Sequence, residues 1–400
     1  MRIEFISSIG DIDADSWNRL ADCATDTGNP FIQHDFLLAL EKHDCLHDWG
    51  WHPQHCLLYD DSRDDSRAND ADASDSASKD RLIGAAPAYI KDNSYGEFVF
   101  DWAWADAYQR HGMPYYPKLV TAIPFTPAKG PRLLAADEHT TADGETVSQS
   151  TIKKGLISAL TAYADKNELS SSHFLFCEDD DIAYFPQDEF LFRFDYQFHW
   201  RNNAYNSFDD FLGELNSKRR KNIRRERRKV AEEDIDIKVL DGGDLSEEQW
   251  QAVYDFYRIT FMRKSGAPTL TLDFFMAVAH KLKAILAYHR QRMVAAAICF
   301  QGKDRLYGRH WGCSDDYDSL HFEVCYYTGI EHCIANGLQV FEPGAQGEHK
   351  IWRGFMPTRT KSAHWIAHPG FRQALAEHLQ HEARAMEQHG RLLQESSPFR

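Results

Sequence analysis

At 400 residues, with 43% hydrophobic and 13% aromatic side chains, the chain has the material for two or three domains with well-filled cores. Its formal charge of −16 at pH 7 argues against a general nucleic-acid binder, because non-specific affinity for a polyanion needs surplus positive charge; any anionic ligand must meet a local basic patch. No stretch approaches the roughly 20 apolar residues of a membrane span, which leaves peripheral membrane contact at most.

The N-terminal "MRIEFISSIGDIDADSW" is acidic and lacks the apolar run of a signal peptide. The eight cysteines include no CxxC pair and several sit in apolar patterns, so they are expected to be reduced, buried thiols of a cytoplasmic protein. Residues 60–81 hold eight Asp and five Ser with alanine as the only apolar type, a composition that cannot offset its ordering entropy, so a disordered insertion is expected. It separates two strand-like runs, "HCLLY" and "RLIGAAPAYI", and therefore interrupts a hairpin.

From there the chain echoes itself. "RLIGAAPAYIKDNSYGEFVFDWAWADAY" parallels "MVAAAICFQGKDRLYGRHWGCSDDY", each reading as a small-residue strand, a turn, an aromatic strand and a loop rich in Asp and Tyr. Each is followed by a helix: "TIKKGLISALTAYADKNE" aligns Ile152, Leu156, Leu160 and Tyr163, and "SLHFEVCYYTGIEHCIANG" aligns Leu320, Val324, Tyr327, Ile330 and Ile334, with Ser319 and Gly337 placed to cap its ends. Both helices lead to a short strand, "SHFLFC" and "LQVF". The fold class expected is mixed α/β, with two similar domains over 1–198 and 199–400, each a mixed twisted sheet flanked by helices.

Between the halves, a long aromatic strand "RFDYQFHW" and a short helix from Ser207 precede a basic helix over 217–232. Nine of the twelve residues from Lys218 to Lys229 are Lys or Arg, a self-repelling arrangement that suits a phosphate-bearing ligand; a solvated face balanced by the protein's own carboxylates is the alternative. Lys218, Arg219, Lys221, Arg224, Arg225 and Arg228 are the candidate phosphate contacts. After them come a strand "IDIKVL", helices near "SEEQWQAVYDFYRITFMRK" and "TLDFFMAVAHKL", and a closing amphipathic helix with Phe371, Leu375, Leu379 and Met386 in line.

The densest chemistry lies in "FEPGAQGEHKIWRGF", where turn backbone follows a strand end, the usual place of a site in an α/β sheet. Glu342, Glu348, His349, Lys350 and Arg353 surround it. Glu342, or Glu323 on the preceding helix, is a candidate base for an attacking amine. Lys350, Arg353 and His349 are candidates to hold an anionic group or a developing oxyanion. A connection whose ion pairs only pin an interface is the alternative. Tyr327, one turn from Glu323, and Arg309, on a strand where His310 would face the other way, are further candidates, as is His321 near the helix start. In the first half, Asp101, Asp106 and Tyr108 stand among tryptophans, a mixture suited to a sugar or peptide and equally to core packing. No metal-ligand spacing, P-loop, dinucleotide fingerprint or GxSxG is present.

With the echo and these residues together, the chain resembles the FemAB-like peptidoglycan biosynthesis/recognition family of the GNAT acyltransferase superfamily. The resemblance is carried by "NPFIQHDFLLALE", "SYGEFVFDWAWADAY", "YYPKLVTAIPFTPAKGPRLL", "KRRKNIRRERR", "HFEVCYYTGIEHCIANGLQVFEPGAQGEHKIWRGFMPT" and "SAHWI", covering almost everything outside the acidic insertion. It implies two tandem GNAT-like domains and transfer of an acyl or aminoacyl group, from acyl-CoA or aminoacyl-tRNA, onto an amine of a cell-wall precursor or other small molecule. Fem-type transferases carry a lysine after the last strand of the second domain, a position matched by Lys350. The GNAT pyrophosphate loop is absent: "GCSDDYDSLHF" stands in its place, and no tyrosine follows "LQVF", which shifts weight from a thioester donor to a tRNA ester. The rival expectation is a non-catalytic protein that recognises a muropeptide or lipid-linked sugar in the cleft between the domains.

Overall fold

The computed structural model describes residues 1–60, 81–140, 146–345 and 347–400, so all of the acidic insertion except Asp60 and Arg81 lies outside the described residues. The first half runs β1 (Arg2–Ile6), α1 (Ala14–Cys23), α2 (His34–Lys42), β2 (Trp51–Pro53), β3 (His55–Asp60), β4 (Arg81–Ala86), β5 (Ala88–Lys91), α3 (Trp102–Arg110), β6 (Lys118–Thr121), β7 (Leu134–Ala135), β8 (Glu138–Thr140), β9 (Thr146–Ser148), α4 (Gln149–Lys166), β10 (Ser171–Cys177) and β11 (Phe190–Arg201). The second runs α5 (Phe208–Glu214), α6 (Ser217–Glu232), β12 (Ile235–Asp241), α7 (Glu247–Arg263), α8 (Leu272–Ala277), β13 (Leu282–His289), β14 (Arg292–Gln301), β15 (Arg305–Cys313), α9 (Leu320–Phe322), α10 (Thr328–Ala335), β16 (Val340–Glu342), β17 (Met356–Ile366) and α11 (Pro369–Glu395).

Local chemistry accounts for these boundaries. Ser148, Ser207, Asn216, Ser246 and Thr271 each accept a backbone N–H at the start of α4, α5, α6, α7 and α8, and Ser246 with Gln249 forms a capping box. The apolar stripe of α4 buries Ile152, Leu156 and Leu160 against the sheet. Gly312 lets α7 lie on β15, because a Cβ there would stand 2.0 Å from the Phe256 carbonyl oxygen.

Both halves repeat one plan. Antiparallel hairpins β3/β4 and β13/β14 lead to a strand that pairs in parallel with the strand delivered by the next helix, β6 with β10 in the first half and β15 with β16 in the second. The halves share an eleven-stranded sheet in the order β12-β13-β14-β15-β16-β11-β17-β10-β6-β5-β2, beside a four-stranded sheet β1-β3-β4-β7. β17, from the end of the chain, lies between β10 and β11 of the first half, and β11 reaches β16 of the second. One core therefore crosses between the halves, with the Phe31 ring 5.1 Å from Phe300 and 4.9 Å from Tyr307.

One expectation is corrected here. The stretch expected as an aromatic strand around Trp102 is helix α3, and β6 takes the corresponding place in the sheet. Its aromatics sit at helical spacing, with Trp104 and Tyr108 buried and Trp102 exposed.

Candidate functional site

β15 and β16 pair at only three positions, Arg305 with Val340, Leu306 with Phe341 and Tyr307 with Glu342. Beyond Glu342 the chain turns away through Pro343 and Gly344, which adopts φ +91°, while β15 continues to Cys313. The strands part, and a cavity of about 90 Å³ opens between them, lined by Gly308, Arg309, His310, Trp311, His321 and Tyr326 among others. A β-bulge helps to build it. The register against β14 passes from Ile298–His310 to Cys299–Gly308, leaving Arg309 as the extra residue. That insertion breaks the alternation that would have set Arg309 and His310 on opposite faces, so both line the cavity.

The opposite wall comes from an irregular helix. Between α9 and α10, residues Glu323–Tyr327 form a π turn, and Ser319 precedes the helix with φ +68° and no side-chain cap. Such turns widen the helix and re-aim its side chains. Here Cys325 and Tyr326 face the cavity while Glu323 and Tyr327 face α6. The Tyr326 hydroxyl lies 3.0 Å from His349 Nε2. Burial pushes the Tyr326 pKa up, so the phenol keeps its proton.

Lys350 lies in the 3₁₀ turn Glu348–Arg353, 3% exposed, and among the described residues its ammonium has one hydrogen bond, 2.8 Å to the Gly344 carbonyl. Burial lowers its pKa to about 8, with Cys325 opposing the shift and Arg309 adding to it. Burial also lowers His310 to about 3 and His321 to about 4, the latter helped by the positive charges of His349, Arg353 and Lys350, so both imidazoles are neutral at pH 7. Arg309 falls to about 10, again through burial, and donates to the Phe125 carbonyl of the first half at 3.0 Å. Arg309, neutral imidazoles and a protonated phenol thus line a gap between strands, and Lys350 is anchored to Gly344, next to the lining Pro343, a setting able to polarise a carbonyl and move protons.

The structure places the other expected residues around this centre. Glu342 ends β16 and pairs with Arg305 at 3.0 Å. Glu323 accepts from Arg227 at 3.1 and 3.2 Å, and Arg227 also binds both Glu331 oxygens. Neither glutamate lines the cavity. Arg353 donates to Glu226 at 2.9 Å and to the Tyr327 hydroxyl at 2.9 Å, and its guanidinium lies 3.5 Å from the Phe322 ring centre; Tyr327 in turn donates to Glu226. These contacts fasten α6 to the π turn. In the first half, Asp101 is buried against Lys118 and Tyr115, Tyr108 stacks on Phe371 with centroids 3.9 Å apart, and Asp106 is exposed on α3; none of the three lines the cavity.

On α6, Lys218, Lys221 and Arg225 are exposed and have no carboxylate partner among the described residues, while Arg219 lies over the exposed Trp352 ring at 4.5 Å. Arg224 pairs with Asp209 at 2.9 Å and Arg228 with Glu232 at 3.6 Å, both at the surface. Tyr326, Cys325 and Trp311 escaped sequence reasoning as site residues, since the facing of Tyr326 and Cys325 is set by the π turn over Glu323–Tyr327, which no helical periodicity announces. Among the described residues no group of three or more His, Cys, Asp or Glu could hold a metal ion, and no helix is long and apolar enough to cross a membrane.

Comparisons with known proteins agree with this plan. The chain superposes on a C-terminal domain assigned to a lysylphosphatidylglycerol synthetase from Agrobacterium fabrum, with 8% identity and TM-score 0.52 over 91% of this chain and 94% of that one. FemX gives 9% identity and TM-score 0.51 over 92% of this chain and 99% of that one. At such identities the likeness is one of fold. A search of the curated proteins finds no match. The family model described as FemAB-like, peptidoglycan biosynthesis/recognition, matches residues 8–400, and with that coverage the chain belongs to the FemAB-like family.

Proposed function

We propose that the chain transfers a small acyl or aminoacyl group onto an amine, with an aminoacyl-tRNA ester favoured over acyl-CoA as donor. The observation that carries this reading is the cavity where β15 and β16 part, lined by Tyr326 and Arg309, with Lys350 bonded to Gly344 next to the lining Pro343. The amine nitrogen attacks the ester carbonyl, a C–N bond forms and the C–O bond breaks. The amine's proton goes to the uncharged fraction of Lys350, which a pKa near 8 makes sizeable at neutral pH. The departing ribose oxygen takes the Tyr326 proton, and the excess proton on Lys350 returns to Tyr326. A phenol held above its ordinary pKa matches an alkoxide better than a thiolate, which supports the ester donor. Arg309 stays charged beside the developing oxyanion. A cavity of about 90 Å³ suits a small transferred group. Glu342 and Glu323, each tied to an arginine, hold the walls in place, and the exposed cations of α6 meet the donor's phosphates. An amine on a peptidoglycan precursor is the acceptor that the family description favours.

The test measures binding of uncharged tRNA, charged tRNA and acetyl-CoA at two salt concentrations, then turnover with amine acceptors. Charged tRNA should bind saturably and with steep salt dependence, and Lys350→Ala should retain that binding while losing turnover by about 10²- to 10³-fold. Absence of binding to every donor by the folded protein would replace this reading with that of a recognition protein.

A further inference from the structure

Tyr326 is buried, and among the described residues its hydroxyl has one hydrogen-bond partner, His349 Nε2 at 3.0 Å. The transfer reading consumes the Tyr326 proton in each turnover and returns one from Lys350. Among the described residues, however, no hydrogen bond joins these two side chains, and the Lys350 ammonium is directed at the Gly344 carbonyl. A proton passes between groups in hydrogen-bond contact or through a water, so a buried phenol needs a carrier. His349 stands one residue before Lys350 and is exposed.

The imidazole is placed for that task. Gly347 precedes its turn with φ +116°, and a Cβ there would lie 2.6 Å from His349 Cε1, so the ring rests against backbone that only glycine leaves open. Phe322 of α9 lies on the helix side, with ring centres 6.1 Å apart. Nε2 meets Tyr326, and Nδ1 has no partner among the described residues. The charged and titratable groups around the ring are Lys350, Arg353 and Glu348 on its own turn, His321 and Tyr326 on the irregular helix, and His389 of α11, which reaches Glu348 at 3.5 Å. Burial, then Arg353 and Lys350, lower the His349 pKa, so the ring is neutral at pH 7 and one nitrogen can take a proton as the other gives one. His321 also lies near Tyr326, with ring centres 5.3 Å apart, but it lines the cavity and makes no hydrogen bond to the phenol among the described residues.

We propose that His349 carries protons between the Tyr326 hydroxyl and water, and so recharges Tyr326 after each transfer. The proposal rests on the transfer reading for the event that consumes the proton, and on the contact with Tyr326 for the path. As the Tyr326 O–H bond breaks and its proton joins the departing ribose oxygen, the phenolate oxygen takes the proton of His349 Nε2, and Nδ1 takes one from water. The hydroxide left behind is neutralised by the proton that Lys350 releases, so none is gained or lost overall, and exchange at the exposed ring restores the starting tautomer. His349 acts through Tyr326 and is a positioning residue for the reaction.

The experiment measures exchange of the Tyr326 hydroxyl proton in the full chain, without donor or turnover, so its failure and the failure of the transfer reading are separable. Protein carrying carbon-13 at tyrosine Cζ is dissolved in equal parts of light and heavy water, where the OH and OD forms give separate lines when exchange is slow, and Tyr326→Phe assigns the signal. His349→Phe keeps a ring without nitrogen, and His349→Gln keeps a hydrogen-bonding group that relays no proton. In both variants exchange at Tyr326 should slow by at least about tenfold, the scale of a lost acid–base partner, while the buried Tyr115 hydroxyl keeps its rate. With charged tRNA and an amine acceptor, His349→Gln should lower kcat by about tenfold and leave KM unchanged. Exchange at the parent's rate in either variant, or an unchanged kcat, would overturn the proposal. Slowed exchange in a protein that transfers nothing would support the proton path and reject the transfer reading.

Discussion

Lys118 begins β6 where that strand runs parallel to β10, and Lys350 follows β16 where that strand runs parallel to β15. Both ammonium groups are withdrawn from water, yet their surroundings differ. Lys118 is fully buried and binds Glu97 at 2.8 Å, Asp101, and Ser94 at 3.0 Å. Burial alone would lower its pKa, and the two carboxylates hold it above the ordinary lysine value. Lys350 has a carbonyl in place of two carboxylates, and its pKa falls to about 8. The strand partings differ in the same sense. In the first half Arg132 fills the gap, donating to the Leu175 carbonyl at 2.7 Å and the Ala128 carbonyl at 2.7 Å, while Gly130 N–H takes the Phe176 carbonyl at 3.1 Å. In the second half the gap stays open as the cavity. A buried cation whose partners balance it holds structure together, whereas one left nearly alone carries a perturbed acidity of the kind found at reactive sites.

The sharpest way to break this comparison is to remove each charge. Lys118→Met strands Glu97 and Asp101 without a counter-ion and should cost about 3–5 kcal/mol in urea denaturation. Lys350→Met removes a desolvated charge that has no carboxylate partner among the described residues, so it should fold with unchanged or higher stability at pH 7 and fail in transfer. Equal destabilisation by the two substitutions would refute the division into a structural and a reactive lysine.

Arg353 comes next in size. It joins Glu226, Tyr327 and the Phe322 ring, and Arg353→Ala should cost about 2–4 kcal/mol while loosening α6 from the π turn, seen as faster hydrogen exchange in 217–232. Arg353 was legible from sequence as a member of the charged segment, but its role was not, because the partners that occupy it lie more than a hundred residues upstream in Glu226 and on the preceding helix. The same limit applies elsewhere. The α6 boundaries, the hairpin β13/β14 and the stripe of α4 follow from local periodicity and caps, and they were readable. α3 was not: its aromatics satisfied a strand pattern as well as a helical one, and the echo with the second half tipped the reading toward strand. The place of β17 between β10 and β11, and the bulge that turns Arg309 and His310 toward one cavity, are products of long-range register that no window of sequence contains.

The two lysines also predict opposite responses to alkali. Lys350 has a folded pKa below its unfolded one, so between about 8 and the ordinary lysine value the unfolded chain binds more protons, and Lys350 makes stability rise with pH across that window. Lys118 has a raised folded pKa; its contribution is fully present below the ordinary lysine value and is lost as pH climbs through and above it. The difference in stability between the parent and Lys350→Met, followed by urea denaturation from pH 7 to 10.5, should therefore shift in the parent's favour as pH rises. If transfer uses the uncharged Lys350 amine, kcat/KM should rise along the same limb, with its midpoint near 8. A rate that instead falls through pH 8 would assign Lys350 the role of a cation.

The smallest structural effect is expected on the exposed face of α6. Lys221 and Arg225 have no carboxylate partner among the described residues, so reversing both to Glu should move stability by no more than about 0.5 kcal/mol. If these side chains meet phosphates, however, the same pair of substitutions should weaken tRNA binding strongly and flatten the dependence of its logarithm on salt by about two contacts' worth. The face would then behave as Lys350 does and Lys118 does not: a charge the fold leaves without a partner, and whose loss registers in binding and not in stability. A variant that binds tRNA with the parent's affinity and salt slope would place α6 with the solvated surface, and the donor's phosphates would have to be sought elsewhere.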